Sequence, residues 1–247
     1  MGQRNCCGWR IAGETGVPLK MMTLPFKLLV FDWDGTLMDS EARIVACIRA
    51  ATEDLGLKPR THDQMKNVIG LGLQEAIRLL FPNSEEAFGR EFVSCYRHHF
   101  FNSHHTPSKL FDGAYDTLKA LFDSGYWLAV ATGKGRRGLD DVLEKTGCGE
   151  FFLTTRCADE APSKPHPDML LAILEELGAE PAECLMIGDT EYDMQMARNA
   201  ATHALAVSYG VHELSRLMNH EPLGHVDDIR ELPDWLIKQP NSTPLSG

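Results

Sequence analysis

Short hydrophobic runs, each bounded by polar residues or glycine, recur along most of the chain. Such runs are typical of strands that are buried on both faces of a sheet. They predict strands at 26–31, 127–131, 151–154, 184–187 and 203–207. Between the later runs, apolar residues recur at helical spacing and predict helices at about 113–124, 136–146, 167–178 and 191–200. This alternation predicts an α/β fold, a doubly wound parallel sheet of the Rossmann-like kind.

The stretch 40–103 departs from this alternation, because it contains helical patterns and no strand candidate. One pattern comprises Ile44, Ile48, Ala51 and Leu55, another comprises Phe88, Phe92, Cys95 and His99, and a third covers 72–81. We therefore expect a small helical domain inserted after the first strand, with linkers near 37–40 and 104–112.

These patterns predict the domain organisation. The α/β core is expected at 25–38 and 108–235, and the inserted helical domain at 39–107. Residues 1–24 lack the apolar run of a signal peptide and are expected to be a disordered extension. Residues 236–247 are expected to be a flexible tail.

Composition narrows the range of partners. A net charge of −11 argues against a nucleic-acid partner, and no run approaches the roughly 18 apolar residues that span a membrane. Seven cysteines without a Cys-x-x-Cys pair or zinc spacing indicate a reducing, cytoplasmic location. An acidic chain that handles an anion needs local positive groups or a metal ion.

The first strand ends in two acids, Asp32 and Asp34, followed by Gly35. Alternate side chains of an extended segment lie on the same side, so the two carboxylates can meet one ligand. A divalent cation would relieve their repulsion. The alternative is a solvated turn, although ligands of open α/β sheets bind at this end of the strands.

The second candidate strand ends in Thr132 and Gly133, which can hydrogen-bond an anion at the start of a helix. The same stretch, 133–138, fits the dinucleotide pattern G-x-G-x-x-G, with Asp159 further along. Asp159 falls beyond the tip of the next strand, and a dinucleotide site would leave the paired acids unexplained. The neighbouring cations Lys134, Arg136 and Arg137 are expected to supply a local positive field or to be solvated.

Two further segments carry candidate chemistry. Lys164 lies in a proline-rich turn that restricts its backbone, so its ammonium could face a charge. Asp189 follows a glycine at the end of the fourth candidate strand, and Asp193 lies one helical turn later. Asp189 could also be only a helix N-cap. Acids, a hydroxyl and an ammonium at strand ends of one sheet suit phosphoryl transfer through a carboxylate nucleophile with Mg²⁺.

The order and spacing of these motifs resemble the haloacid dehalogenase superfamily. The motifs are Asp-x-Asp-Gly-Thr, a strand-end threonine, a loop lysine and Gly-Asp-x-x-x-Asp, and the resemblance covers about 25–232. Within the superfamily, the chain is most similar to the phosphatases of the phosphoglycolate phosphatase and β-phosphoglucomutase branch. The inserted helices match the small cap domain of that branch.

The resemblance implies a role for each motif. Asp32 would be the nucleophile that becomes an aspartyl phosphate, and Asp34 the general acid and base. Thr132, Gly133 and Lys164 would contact the phosphoryl group. Mg²⁺ would be held by Asp32, the backbone carbonyl of Asp34, and Asp189. Asp193 would orient Lys164 or a metal-bound water, or be purely structural.

The resemblance also implies that the cap loop 67–74, through Gly70 and Gly72, reads the substrate. The loop lacks the arginine with which β-phosphoglucomutases grip a second phosphate, and the cap lysines, Lys58 and Lys66, lie in polar contexts unsuited to phosphonatase chemistry. The expected function is hydrolysis of a small phosphate monoester. A phosphosugar mutase, a pyrophosphatase and a receiver-like phospho-acceptor remain alternatives, and the substrate and oligomeric state stay open.

One histidine-rich stretch is left over. It comprises His98, His99, His104 and His105, and it either binds a soft metal or ends a cap helix near the hinge.

Overall fold

The structure is a computed structural model that describes residues 26–82, 86–103 and 106–239. The disordered extension predicted at 1–24 lies outside these residues, as do His104, His105 and all but the first four residues of the flexible tail predicted at 236–247.

The described part of the chain forms one six-stranded sheet and one two-stranded sheet. The strands are β1 (Leu28–Phe31), β2 (Met38–Asp39), β3 (Lys109–Leu110), β4 (Trp127–Thr132), β5 (Phe152–Cys157), β6 (Cys184–Gly188), β7 (His203–Val207) and β8 (His225–Val226). The large sheet has the order β5-β4-β1-β6-β7-β8, and all its neighbouring strands pair in parallel.

Helices fill the segments between strands. They are α1 (Glu41–Asp54), α2 (His62–Lys66), α3 (Leu73–Leu80), α4 (Glu86–His98), α5 (Ala114–Asp123), α6 (Arg136–Thr146), α7 (Asp168–Leu177), α8 (Glu191–Asn199), α9 (Leu214–Met218) and α10 (Leu232–Ile237). Helix α4 continues as a π-helical turn, His99–Ser103.

The core is built on both faces of the large sheet, which explains why its central strands read as continuous apolar runs. In β1 the side chains alternate: Leu29 and Phe31 pack with α5, α6 and α10, whereas Leu28 and Val30 pack with α7 and α8. All four residues are fully buried. The predicted doubly wound α/β fold is thereby confirmed.

The chain order of the strands places a crevice at one end of the sheet. From β1 the chain adds β4 and β5 on one side, then crosses over β1 to add β6, β7 and β8 on the other. In open parallel sheets, ligands bind at the carboxyl ends of the strands beside such a reversal. The ends of β4, β1 and β6 therefore define the expected place of a site.

The segment between β2 and β3 contains α1 to α4 and no strand among its described residues. It has its own apolar cluster, in which Ile48 of α1, Met65 of α2, Ile77 of α3 and Phe92 of α4 are buried. The two connections to the core run side by side, because β2 and β3 pair antiparallel. We call residues 41–103 the cap.

Two details differ from the sequence patterns. Strand β5 extends to Cys157, three residues beyond the predicted end, because it pairs with β4 along its length. Helix α10 runs to Ile237 with Leu236 buried against the core, two residues beyond the core boundary predicted at 235. No helix among the described residues is long and apolar enough to cross a membrane.

Candidate active site

The candidate site lies where β1, β4 and β6 end. Asp32 follows β1 and still belongs to the ladder, since its backbone N–H donates to the Ile187 carbonyl (2.9 Å). Thr132 is the last residue of β4, and Asp189 follows β6. All three side chains are fully buried. The sheet thus brings together residues separated by more than 150 positions in the chain.

Lys164 bridges two of the predicted acids. Its Nζ lies 2.7 Å from Asp32 Oδ1 and 2.6 Å from Asp193 Oδ1, and all three side chains are essentially inaccessible to solvent. The other oxygen of Asp193 accepts hydrogen bonds from the backbone N–H (3.0 Å) and hydroxyl (2.7 Å) of Thr190. Asp193 therefore completes the capping box of α8 with Thr190 and also orients Lys164 toward Asp32.

Asp189 is held by Thr36 of the first motif and by Val211, which belongs to no predicted motif. Its Oδ1 accepts a hydrogen bond from the Thr36 hydroxyl (2.7 Å), and its Oδ2 accepts one from the Val211 backbone N–H (2.8 Å). Two glycines leave room for this carboxylate, since a Cβ at Gly35 or at Gly210 would lie 2.2 Å from its atoms. Gly35 also has φ +89°, which a residue with a side chain rarely adopts.

The charges of this cluster do not balance. Burial raises the pKa of Asp32 well above its usual range. The positive charge of Lys164 lowers this pKa in part, and the negative charge of Asp193 raises it further. Burial, aided by Asp193, also raises the pKa of Asp189 to about 7. Burial alone would lower the pKa of Lys164, but Asp193 and Asp32 raise it above its ordinary value. Three buried carboxylates thus face one ammonium.

The residues present fit a divalent cation. Asp32, Asp189 and Asp193 each offer an oxygen within 4.8 Å of the others. Asp32 Oδ2 is buried and has no hydrogen-bond partner among the described residues. Carboxylate oxygens are the ligands that Mg²⁺ prefers, and a cation would offset the excess negative charge.

Asp34 lies in a different environment from Asp32. Its Oδ1 accepts a hydrogen bond from the Ser40 hydroxyl (2.7 Å), and its Oδ2 lies 2.9 Å from Lys134 Nζ. The Lys134 ammonium also lies 4.9 Å from the centre of the Phe100 ring, which belongs to the cap. The sequence predicts Lys134 to supply a positive field or to be solvated, whereas its side chain is 8% exposed and pairs with one specific acid.

The cap loop reaches the core at Gly133. A Cβ on Gly133 would lie 2.5 Å from the carbonyl oxygens of Gly70 and Leu71, so only glycine permits this approach. The backbone N–H of Gly72 donates to Ser163 Oγ (2.7 Å), next to Lys164. The structure therefore brings Gly70, Gly72 and Gly133 together beside the acids.

A second contact fixes the start of the same loop. The Tyr192 hydroxyl donates to the Asn67 carbonyl (2.9 Å), and Arg216 donates to the Asn67 side chain. Tyr192 belongs to α8, the helix that carries Asp193. Ser40 and Arg216 belong to no predicted motif, whereas Thr36 and Asn67 lie in the first motif and in the cap loop without a predicted role as partners.

The dinucleotide alternative has no support in this geometry. Asp159 accepts two hydrogen bonds from the backbone N–H of Arg136, at 2.9 and 3.2 Å, and so caps the start of α6. Arg136 itself pairs with Glu160 and Asp140. Asp159 and Arg136 thus form contacts with other residues of the core, rather than being left to bind a dinucleotide.

A cavity of about 620 Å³ lies between the core and the cap. Asp32, Asp34 and Thr132 line its core side, and the loop at Gly70 lines its cap side. Its cap wall also includes Tyr96, Arg97, Phe100 and Phe101, from α4 and the π-helical turn. From the sequence, the loop 67–74 is the cap segment predicted to face the site, so these four residues extend the predicted wall.

A family model described as haloacid dehalogenase-like hydrolase matches residues 29–207. The chain belongs to the haloacid dehalogenase-like hydrolase family. The resemblance stated from the motifs is thus confirmed, and the match includes the cap segment as well as the sheet through β7.

Two relatives of similar sequence are named as phosphatases. A protein of Dickeya dadantii (strain 3937) named "Probable phosphatase IndB" is 34% identical over 211 residues, which cover 83% of this chain and 91% of that protein. The phosphoglycolate phosphatase of Vibrio vulnificus (strain YJ016) is 29% identical over 222 residues, covering 85% of this chain and 96% of the relative.

Among solved structures, a hydrolase of the haloacid dehalogenase-like family from Streptococcus pneumoniae shares the fold. Its TM-score is 0.75 at 24% identity, with 86% of this chain and 99% of that chain covered. Family membership and the phosphatase names of the relatives support a phosphatase, as the motifs predict.

Proposed function

We propose that the protein is a Mg²⁺-dependent phosphatase that hydrolyses a small phosphate monoester through an aspartyl phosphate on Asp32. The observation that carries this proposal is the environment of Asp32. Its carboxylate is fully buried at the end of β1, with Oδ1 2.7 Å from Lys164 Nζ and Oδ2 lacking a hydrogen-bond partner in the described protein. Lys164 thus orients the carboxylate, and no protein donor competes for the second oxygen.

Asp34 is proposed as the general acid and base. Asp32 attacks phosphorus, the bond from phosphorus to the leaving oxygen breaks, and Asp34 gives that oxygen a proton. Water then attacks the phosphorus of the aspartyl phosphate while Asp34 takes a proton from it, which releases phosphate and restores Asp32. Ser40 and Lys134 hold the two oxygens of Asp34, so its carboxyl group has a defined position.

Thr132, Gly133 and Lys164 are proposed to hold the phosphoryl oxygens. The Thr132 hydroxyl accepts a hydrogen bond from the Lys134 backbone N–H (3.1 Å), which leaves its own hydrogen to donate. Lys164 contributes a positive charge in a site that excludes water, where such charges stabilise a developing anion strongly. Asp193 fixes the Lys164 side chain and is proposed as its support rather than as a reacting group.

Asp32, Asp189 and the backbone carbonyl of Asp34 are the proposed ligands of Mg²⁺. When bound, the cation would offset the negative charge of the carboxylates and of the phosphoryl group. Thr36 and Val211 orient Asp189 for this role.

The proposed substrate class is a small monophosphate that carries a carboxylate, as in phosphoglycolate. The phosphoglycolate phosphatase of Vibrio vulnificus is similar along nearly its whole length. The cap loop offers backbone and apolar surface, and Arg97 of α4 supplies a positive charge to the cavity. Guanidinium groups suit carboxylates because both are planar and can form two parallel hydrogen bonds.

The test is phosphate release from a substrate panel in the presence of Mg²⁺. The panel comprises phosphoglycolate, ethyl phosphate, a hexose monophosphate, a hexose bisphosphate and pyrophosphate. We expect the highest kcat/KM for phosphoglycolate. The Arg97→Gln variant should lose the preference over ethyl phosphate, whereas Arg49→Gln, an exposed cap arginine that does not line the cavity, should keep it.

Three results would support the alternatives instead. Transfer of phosphate between sugar positions without release would indicate a mutase. Fastest release from pyrophosphate would indicate a pyrophosphatase. A phosphorylated protein that accumulates without turnover would indicate a receiver-like acceptor.

A further inference from the structure

A group of metal-ligating side chains lies on the cap, outside the candidate active site. Asp54 is the last residue of α1, Cys95 lies in α4, and His99 opens the π-helical turn that follows. The Cys95 thiol lies 3.5 Å from Asp54 Oδ2, and His99 Nε2 lies 2.7 Å from the same oxygen. None of the three lines the cavity.

Local structure brings these donors together. Cys95 and His99 are four residues apart, so they project from one side of a helix on successive turns. The packing of α1 against α4 then places the carboxyl-terminal acid of α1 opposite that side. The three ligand atoms lie within 4.8 Å of one another.

The donor set indicates the class of ion. A thiolate, an imidazole and a carboxylate are ligands of zinc, whereas Mg²⁺ prefers oxygen alone. Zinc bonds of 2.0–2.3 Å in a tetrahedron place neighbouring ligand atoms about 3.3–3.8 Å apart. The 3.5 Å from Cys95 Sγ to Asp54 Oδ2 already lies in this range. The 2.7 Å from His99 Nε2 to Asp54 Oδ2 is shorter, and it would have to lengthen by less than about one ångström.

We propose that Asp54, Cys95 and His99 form a second metal site, on the cap, for a borderline-soft divalent cation such as Zn²⁺. Solvent reaches the site through Asp54, whose side chain is 57% exposed, whereas the His99 ring is 14% exposed. Three protein donors and one water complete the tetrahedral coordination that zinc takes in open sites. Binding releases the thiol proton of Cys95.

The ion would join two helices that also form the cavity wall. Ile48 of α1 and Tyr96 of α4 line the cavity, and each lies within one or two turns of a proposed ligand. Coordination of one ion by Asp54 of α1 and by Cys95 and His99 of α4 and its π-helical turn would resist separation of the two helices. The site therefore stabilises the cap, and this role does not depend on the proposed phosphatase chemistry.

The experiment is a Co²⁺ titration of the full chain with saturating Mg²⁺ and without substrate. Cobalt reports a thiolate ligand through a charge-transfer absorption band that zinc lacks. We expect this band to appear at one equivalent and to disappear when Zn²⁺ displaces cobalt. Thermal unfolding of the Mg²⁺-loaded protein should shift to higher temperature with Zn²⁺, because the ion binds the folded state.

Variants locate the site. Cys95→Ala should abolish the band, and His99→Gln and Asp54→Asn should each raise the dissociation constant at least about tenfold. Cys148→Ala, a buried cysteine of the core, and His62→Gln, a cap histidine paired with Glu41, should leave binding unchanged. Asp54→Asn changes an exposed side chain, so its result stands even if Cys95→Ala fails to fold.

Two results would overturn the proposal. One is a thiolate band that persists at wild-type affinity in Cys95→Ala. The other is an unchanged dissociation constant in both His99→Gln and Asp54→Asn. Because no substrate is present, an inactive enzyme could still bind cobalt here, and an active phosphatase could fail this test. The two proposals therefore succeed or fail separately.

Discussion

Asp32 and Asp34 stand two residues apart in one motif, yet different parts of the molecule hold them. Asp32 pairs with Lys164, which Asp193 holds in turn, and all three belong to the core. Asp34 pairs with Ser40, which lies between β2 and α1, and with Lys134, whose ammonium lies against the ring of the cap residue Phe100. The core thus determines the position of one carboxylate, and the interface between core and cap determines that of the other.

This difference matters for chemistry as well as for structure. The pair of Lys164 and Asp193 is formed by two core residues, without a cap residue as a partner. The pair of Lys134 and Asp34 has a cap ring as its neighbour, so its surroundings change if the cap opens. Attack on phosphorus and proton transfer are therefore expected to respond differently to substitutions in the two regions.

The largest effect is expected from Asp32→Asn. A neutral amide cannot act as the anionic nucleophile, so kcat should fall by at least about 10⁴-fold. Phosphate release from the best substrate measures this loss. The matched control is Asp39→Asn, an exposed acid seven residues away, which should retain activity. Wild-type turnover in Asp32→Asn would show that Asp32 is not the nucleophile, and the contrast between Asp32 and Asp34 would then have no chemical meaning.

The next effect is expected from removal of the metal. A chelator should eliminate turnover, and Mg²⁺ should restore it. Ca²⁺ should not, because it prefers longer bonds and more ligands. The Asp189→Asn variant should need at least about tenfold more Mg²⁺ for half-maximal activity, since it loses a proposed ligand. Full activity in excess chelator would contradict the assignment of the acidic cluster.

A smaller effect, specific to the second carboxylate, is expected from Lys134→Met. The substitution removes the ion pair but keeps the length of the side chain, so Asp34 loses its fixed position. For an alkyl phosphate, whose leaving oxygen needs a proton, kcat/KM should fall by about 10–10²-fold. The leaving group of p-nitrophenyl phosphate needs no proton, so kcat/KM for this substrate should fall less.

Two variants control this experiment. Lys134→Arg should recover part of the difference between the two substrates, because it restores a cation. Lys145→Met removes an exposed lysine of α6 that pairs with Asp141. It should leave kcat/KM unchanged for both substrates. Equal losses for both substrates in Lys134→Met would mean that Lys134 does not act through Asp34.

The smallest effect is expected from Gly70→Ala in the cap loop. Gly70 has φ +96°, and a Cβ there would lie 2.9 Å from Thr190, the N-cap residue of α8. The loop must therefore move away from the core, and kcat/KM should fall by about tenfold, the scale of a small positional error. The Mg²⁺ requirement should stay near that of the wild type.

Gly56 is the matched control for this substitution. It also has positive φ, +62°, but a Cβ there would meet nothing within 4 Å. Gly56→Ala therefore carries the backbone strain alone and should lower the melting temperature without changing kinetics. Equal kinetic losses in both variants would show that strain, rather than contact with the core, causes the effect.

Much of the fold could be predicted because its signals are local. The central strands are buried on both faces, so 203–207 and 184–187 stand out as apolar runs, and α6 was predicted with its observed bounds. Short elements escaped prediction. Helix α2 depends on a capping box at Thr61, and β8 has only two residues, so neither contains a periodic pattern.

The candidate site also has features that the sequence predicts and features that it does not. By itself, the sequence determined the parallel α/β fold, the helical insertion and the family, because strand-end acids, a hydroxyl and a lysine in a fixed order form a pattern within the chain. Only the tertiary structure decided which groups hold them. Ser40 looks like an ordinary polar residue in the sequence, and nothing in the predicted segments that contain Thr36, Asn67 and Lys134 tells which group each of them contacts. Their partners are chosen by packing between segments that are distant in the chain, and no local pattern records that choice.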